Sequence, residues 1–189
     1  KEITLSSQLH SVELARDTVL NTLCPLGFAI GTTGPVDISE ACAVLTAWDG
    51  RANLDSRGAH LWREFWSRVT AAPGGLPVNP TAPLIWTQTF SASDPVNTPN
   101  GLNVLLPTVQ QALAEAVSAV KTAGFALDAP MGTVQHSGVN GNGTDIPIFG
   151  GTGAEGAFTI VSPDQRYITK KGYDIVYGNS YIQAVTWDK

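Results

Sequence analysis

Three histidines, His10, His60 and His136, are the first residues to weigh for chemistry, and they share no spacing that would hold a metal. Neither Cys-x-x-Cys nor His-Glu-x-x-His occurs, so no zinc site and no other metal site is expected. His136, Ser137 and Asp145 contain the residue types of a hydrolytic triad. Adjacent residues on a strand point to opposite faces, so Ser137 and His136 should not share a proton. Gly141, Gly143, Gly150, Gly151, Gly153 and Gly156 suggest a phosphate loop by density alone. They match neither Gly-x-x-x-x-Gly-Lys-Ser/Thr nor a strand–turn–helix context, and glycine-rich β turns explain them better. No cofactor is expected. The run Trp48-Asp49-Gly50-Arg51-Ala52-Asn53-Leu54-Asp55-Ser56 is the densest polar stretch. Its Asn and Asp side chains suit turn backbone, with Arg51 pairing to Asp49 or Asp55, so Trp48, Asp49, Arg51, Asn53, Asp55 and Ser56 read as a structural motif.

Helices are expected to carry most of the first 130 residues. Apolar residues recur at helical spacing between Ser7 and Cys24, where Pro25 stops them. Residues 25–35 read as a loop. Asp37 with Glu40 three residues on forms a capping-box pattern ahead of a helix that ends at Asp49-Gly50. A third helix over about 58–70 carries Leu61, Trp62, Phe65, Trp66 and Val69, a stripe that reads as core. Residues 73–103 hold six of the twelve prolines and read as an irregular crossing with one short element near 84–90. A fourth helix starts near Pro107 and closes at Gly124. Strands are expected at 133–135, 145–149, 157–161, 173–177 and 181–187, the last two as a hairpin around Gly178-Asn179. Helices first and antiparallel strands afterwards give an α+β chain in one region, residues 1–189.

Composition narrows the partners. Of 189 residues, 43% are hydrophobic and only 14% charged, against roughly 25% charged in an average protein. So pale a surface suits a segment that buries part of itself against other chain. A net charge of -5 without a basic run makes nucleic acid a poor partner. No window reaches the ~18 apolar residues of a membrane span, so no membrane insertion is expected. Cys24 and Cys42 are the only thiols, and composition leaves open both a disulfide and two buried free thiols. Trp62, Trp66, Trp86 and Trp187 could instead form an exposed aromatic surface, in which case the chain would be a stand-alone binding or interaction module.

Several segments together resemble the penicillin acylase family of N-terminal-nucleophile hydrolases. They are the run from Ala41 to Ala59, Trp62-Arg63-Glu64-Phe65, Asn97-Thr98-Pro99, Ile146-Pro147-Ile148-Phe149-Gly150-Gly151, Gly156-Ala157-Phe158 and Gly178-Asn179-Ser180-Tyr181-Ile182-Gln183. They are most similar to the branch containing acyl-homoserine-lactone acylases and aculeacin A acylase. The resemblance implies a secreted or periplasmic precursor cut into α and β chains, in which a Ser at the new terminus attacks an amide carbonyl. It implies an αββα fold, with this chain a late part of the β subunit. It also implies a disulfide between Cys24 and Cys42, where the branch carries a cysteine pair. Nothing here matches the family's nucleophile segment or its oxyanion Asn, so no catalytic residue is expected among the 189. The expected activity of the parent is cleavage of N-acyl bonds in acyl-homoserine lactones, lipopeptides or penicillins. Its remaining α and β segments would be the partners, with the small-molecule substrate bound mainly elsewhere.

Overall fold

The computed structural model describes residues 6–71, 85–138 and 145–179. The first apolar repeat folds as α1 (His10–Thr18), which buries Val12 and Ala15. It widens into one π-helical turn, Val19–Leu23, and tightens into a 3-10 turn, Cys24–Leu26, that contains Pro25. The stretch read as a loop is instead a hairpin. Strands β1 (Phe28–Gly31) and β2 (Gly34–Asp37) pair antiparallel, Phe28 opposite Asp37 and Ile30 opposite Pro35. Its Gly and Pro residues hid it, because an edge strand tolerates proline where a central one does not.

Helix α2 (Ser39–Ala47) follows directly, and a disulfide joins its Cys42 to Cys24. The expected capping box does not form, because the N-cap is Ile38 and Asp37 stands one residue ahead of it. Asp37 accepts the Ser39 N–H at 2.8 Å, but Glu40 reaches out to Lys121 at 2.8 Å. Helix α3 (Ala59–Val69) is buried on almost every side, with only Ser67 and Arg68 partly exposed. Strands β3 (Trp86–Gln88) and β4 (Asn100–Leu102) pair antiparallel, so the short element near 84–90 has a partner that sequence did not signal. Helix α4 (Pro107–Ala123) begins on its proline and ends at Gly124, whose φ of 92° closes the helix in the left-handed region. It packs across α3 and against β1.

The second half is held in a three-stranded sheet of β5 (Gln135–His136), β6 (Val161–Pro163) and β7 (Tyr173–Gly178), with β7 in the middle. β6 runs antiparallel to β7, as expected, whereas β5 runs parallel to it. The strand expected at 145–149 reduces to a single bridge between Pro147 and His136. The segment 157–161 contributes bridges from Ala157 to Leu9 and from Ile160 to Gly151 before β6 begins. The strand expected at 181–187 lies outside the described residues. Helices and small sheets in this order make the chain α+β.

Trp48, Trp62, Trp66 and Trp86 form the centre of the core, as the stripe on α3 suggests, which overturns the alternative of an exposed aromatic surface for Trp62, Trp66 and Trp86. Trp62 and Trp66 stack with ring centroids 6.0 Å apart, Trp48 and Trp86 flank them, and all four are buried. Trp62 donates to Ser11 Oγ at 3.0 Å and Trp66 to the Ala154 carbonyl at 2.7 Å, so these rings also tie distant segments to α3. Trp187 lies outside the described residues. Among the described residues no helix is long and apolar enough to cross a membrane.

Candidate functional site

The strongest concentration of buried charge lies where α3 meets the second half of the chain. Arg63 and Glu64 are adjacent on α3 and both are fully buried. Burying a guanidinium or a carboxylate is costly unless each polar atom finds a partner. Arg63 Nε donates to Glu155 Oε2 at 3.0 Å, Nη1 to Gln135 Oε1, and Nη2 to the Gly150 carbonyl at 3.1 Å. Its flat face lies over the Tyr173 ring, 4.8 Å from the centroid. Glu64 Oε1 accepts the Tyr173 hydroxyl at 2.5 Å and the Ile168 N–H at 2.8 Å, and Oε2 accepts Arg68 Nη1 at 2.6 Å. Glu155 Oε2 also accepts the Thr152 N–H at 2.6 Å, in a capping box that Thr152 completes. Its Oε1 is buried with no hydrogen-bond partner.

This geometry ties α3 to the second half of the chain. Two cations, Arg63 and Arg68, balance two carboxylates, Glu64 and Glu155. The polar atoms of Arg63 and Glu64 are taken by protein groups, so neither is left to receive a substrate. Burial pushes the Tyr173 phenol well above its usual value, and the neighbouring Glu64 carboxylate pushes it the same way. Its proton therefore stays in the bond to Glu64. One turn before Glu64 on α3, His60 is also sealed off. Burial pushes its pKa down to about 4, against the upward pull of the Ala126 carbonyl. Its Nε2 lies 2.9 Å from that carbonyl, which can only accept, so the neutral ring carries its proton on Nε2.

The motif read at 48–56 is a hub of turn hydrogen bonds. Asp49 accepts the Arg51 N–H at 3.0 Å and the Ser56 hydroxyl at 3.1 Å, while Ser56 Oγ accepts the Asn53 N–H at 3.2 Å. Trp48 Nε1 donates to the Arg51 carbonyl at 2.8 Å, and Asn53 Oδ1 accepts the Ser7 hydroxyl at 2.5 Å. The expected ion pair is absent. Arg51 meets Asp49 through its backbone, its guanidinium is exposed, and Asp55 is exposed without a hydrogen bond among the described residues. The backbone of this loop receives three other segments: Ala52 N donates to Ser7, while Gly132 N donates to Leu54 and Gly150 N to Ala52.

The three triad-like residues are brought together only in part. His136 Nδ1 lies 3.1 Å from Asp145 Oδ1 and 3.4 Å from Asp174 Oδ1, neither aligned as a hydrogen bond. Ser137 Oγ is engaged elsewhere, donating to the Gly138 carbonyl and accepting the Ile146 N–H. A cleft of about 570 Å³ opens beside the start of α1, lined in part by Ser6, His10, Glu13, Arg51 and Phe158. There Ser6 Oγ accepts the Gln8 N–H at 3.0 Å and His10 Nδ1 meets Glu13 at 2.7 Å. Among the described residues no group of three or more His, Cys, Asp or Glu could hold a metal.

Sequence reading missed the Arg63 cluster, although two signals for it were available. Thr152-Gly153-Ala154-Glu155 is a capping-box pattern, and Arg63-Glu64 interrupts an apolar stripe on a helix too crowded by aromatics to leave them in water. Comparison with known proteins puts these features in context. The family model for penicillin amidase matches residues 2–189. The chain belongs to the penicillin amidase family. It is 32% identical to aculeacin-A acylase of Actinoplanes utahensis over 187 residues, which is 97% of this chain and 21% of that protein. It is 32% identical to an acyl-homoserine lactone acylase (PvdQ) of Pseudomonas savastanoi over 157 residues, and 34% identical to that of Pseudomonas fluorescens over 155. Each of these two matches covers 80% of this chain and 18% of the relative. The chain thus spans about a fifth of the length of the family members it matches.

Proposed function

We propose that the chain is a structural part of an amidohydrolase that cleaves N-acyl bonds, and that its own residues carry no catalytic role. The observation that carries this reading is the Arg63 cluster. Arg63 pairs with Glu155 and Glu64 takes the Tyr173 hydroxyl, so of the side-chain oxygens of these four residues only Glu155 Oε1 lacks a partner among the described residues, and it is buried. Relatives named as acylases of aculeacin A and of acyl-homoserine lactones support the reaction class, with a fatty-acyl amide favoured over a penicillin. In the parent, this segment is one region of the β subunit, with its helices before residue 130 and its three-stranded sheet after it, within layered αββα sheets. The disulfide supports a secreted or periplasmic location, since such bonds persist in oxidising compartments. The nucleophilic serine, the oxyanion donors and most of the acyl pocket belong to the parent's remaining α and β segments.

The reading is tested by assaying the purified 189-residue chain against a long-chain acyl-homoserine lactone and a penicillin, following release of the free amine. No hydrolysis above the buffer rate is expected, while the longer acylase containing these residues turns over. Hydrolysis by the chain alone, abolished by Ser137→Ala or Ser6→Ala, would overturn it. The alternative of a stand-alone binding module loses its support, because Trp62, Trp66 and Trp86 are buried.

A further inference from the structure

The β1–β2 hairpin carries apolar residues on both faces, and the described residues cover only one face. Inward, Ala29 is buried, and at Gly31 there is room for no more than a Cβ before the side chain of Ala114 on α4, 3.4 Å away. Outward, Phe28 and Ile30 are each 53% exposed, and Leu26, just ahead of the strand, is 52% exposed. Across the ribbon Ile30 faces Pro35, so the outer face gains another apolar residue at the same level. An antiparallel ribbon with one face in water ordinarily alternates apolar and polar side chains. Along β1 the alternation is apolar on both sides, as in a strand covered twice, and Asp37, opposite Phe28, is the polar residue at the edge of the outer face. A hairpin alone is marginally stable, yet this one is clamped at its base. Cys24 precedes β1 and Cys42 follows β2, so the disulfide closes a loop that contains the whole hairpin. The Ile38 N–H donates to the Gly27 carbonyl at 3.1 Å just inside that loop. A ribbon so fixed loses little conformational freedom when something packs on it.

We infer that the outer face of the β1–β2 hairpin, Leu26, Phe28 and Ile30, is a surface on which the rest of the parent acylase packs, with the Cys24–Cys42 disulfide holding it in shape. The inference rests on the reading of the chain as part of a larger acylase. The occupant is the remaining polypeptide because the matched stretch amounts to 18–21% of the relatives' length, leaving about four-fifths of such a protein to lie against this chain.

The test introduces Phe28→Cys, and separately Ile30→Cys, into the 189-residue chain and into the longer acylase, under conditions that keep the native disulfide. Maleimide labelling is timed in both. Labelling should be about tenfold or more slower in the assembled acylase than in the chain alone, because the centre of a packed interface excludes water. Equal rates at both positions in an acylase that is assembled and active would overturn the inference while leaving the acylase reading standing. If the native protein has the intact mass of this chain alone, 19.9 kDa, the acylase reading fails and the inference fails with it. Protection that grows with concentration in the isolated chain would assign the face to a second copy and likewise overturn the proposal.

Discussion

Replacing Arg63 by Met tests whether the buried cluster ties the two halves of the chain together. Methionine keeps much of the apolar stem volume, so the perturbation is mainly loss of the guanidinium. Glu155, whose side chain is 1% exposed, would keep only the Thr152 N–H, and Gln135 Oε1 would lose its donor. Removing one partner of a buried ion pair costs about 3–5 kcal/mol. Glu64 cannot compensate, because its oxygens are taken by Tyr173, Ile168 and Arg68. Glu155→Gln keeps an acceptor for Thr152 and should cost about 2–3 kcal/mol, chiefly from the unbalanced Arg63. The double variant leaves neither charge stranded, so its cost should fall short of the sum by about 2 kcal/mol. Urea unfolding of the 189-residue chain, followed by tryptophan fluorescence, measures all four corners of the cycle. With a slope of about 2 kcal/mol per molar urea, Arg63→Met should lower the midpoint by roughly 2 M. A shift of less than about 0.5 M, or strictly additive single effects, would show that the pair contributes little to holding the fold.

Two further predictions concern stability. The His60 ring has an unfolded pKa near 6.5 and a folded pKa pushed down to about 4 by burial. Between those values the unfolded chain binds a proton that the folded chain does not. Stability is therefore full above about pH 6.5 and falls by roughly 3 kcal/mol as the pH drops to 4. Urea midpoints of the wild type and His60→Gln across pH 4–7 should show a flatter profile in the variant, and parallel profiles would remove His60 as the cause. Converting both Cys24 and Cys42 to Ser opens a loop whose ends are 18 residues apart, with an expected cost of about 3 kcal/mol in the chain-entropy account. A thermal or urea melt of the double variant indistinguishable from the wild type would refute it.

The helices were legible because each carries a repeat that only one backbone period can bury: Leu113, Ala116, Val117 and Val120 on α4, Leu61, Phe65 and Trp66 on α3. Their ends were marked by Pro107 and Gly124. The β1–β2 hairpin was not legible, since its four-residue strands offer too short a pattern and their punctuation matches that of a loop. The parallel pairing of β5 and β7 joins residues about forty positions apart, and nothing local in either strand encodes its direction. The Arg63 cluster was missed for a related reason. Its partners, Gln135, Gly150, Glu155, Ile168 and Tyr173, are scattered along the chain, and a sequence displays charge but not which charges will be buried together. The polar motif at 48–56 was readable as turn structure, because Asp49, Asn53 and Ser56 bond within a few residues of themselves.

The glycine-rich run shows why segments that mark a family need not mark its chemistry. Gly150 donates its N–H to Ala52, while its carbonyl accepts from both Arg63 and Gln135. Its φ of 118° places an added Cβ 2.7 Å from the Thr159 carbonyl, so a larger residue would have to push backbone aside. Six residues on, a Cβ at Gly156 would meet the His10 side chain at 2.8 Å. Gly141 and Gly143 lie outside the described residues, and the rest of the run, from Gly150 to Gly156, is a seam where α1, the 48–56 hub and the Arg63 cluster come within close contact. The residues that resemble the family here, Gly150, Gly151, Gly156 and the hub from Trp48 to Ser56, are constrained by close approach and by hydrogen bonds. Their presence accords with the family match over residues 2–189, and under the proposed reading the reaction is sought in the parent's remaining segments.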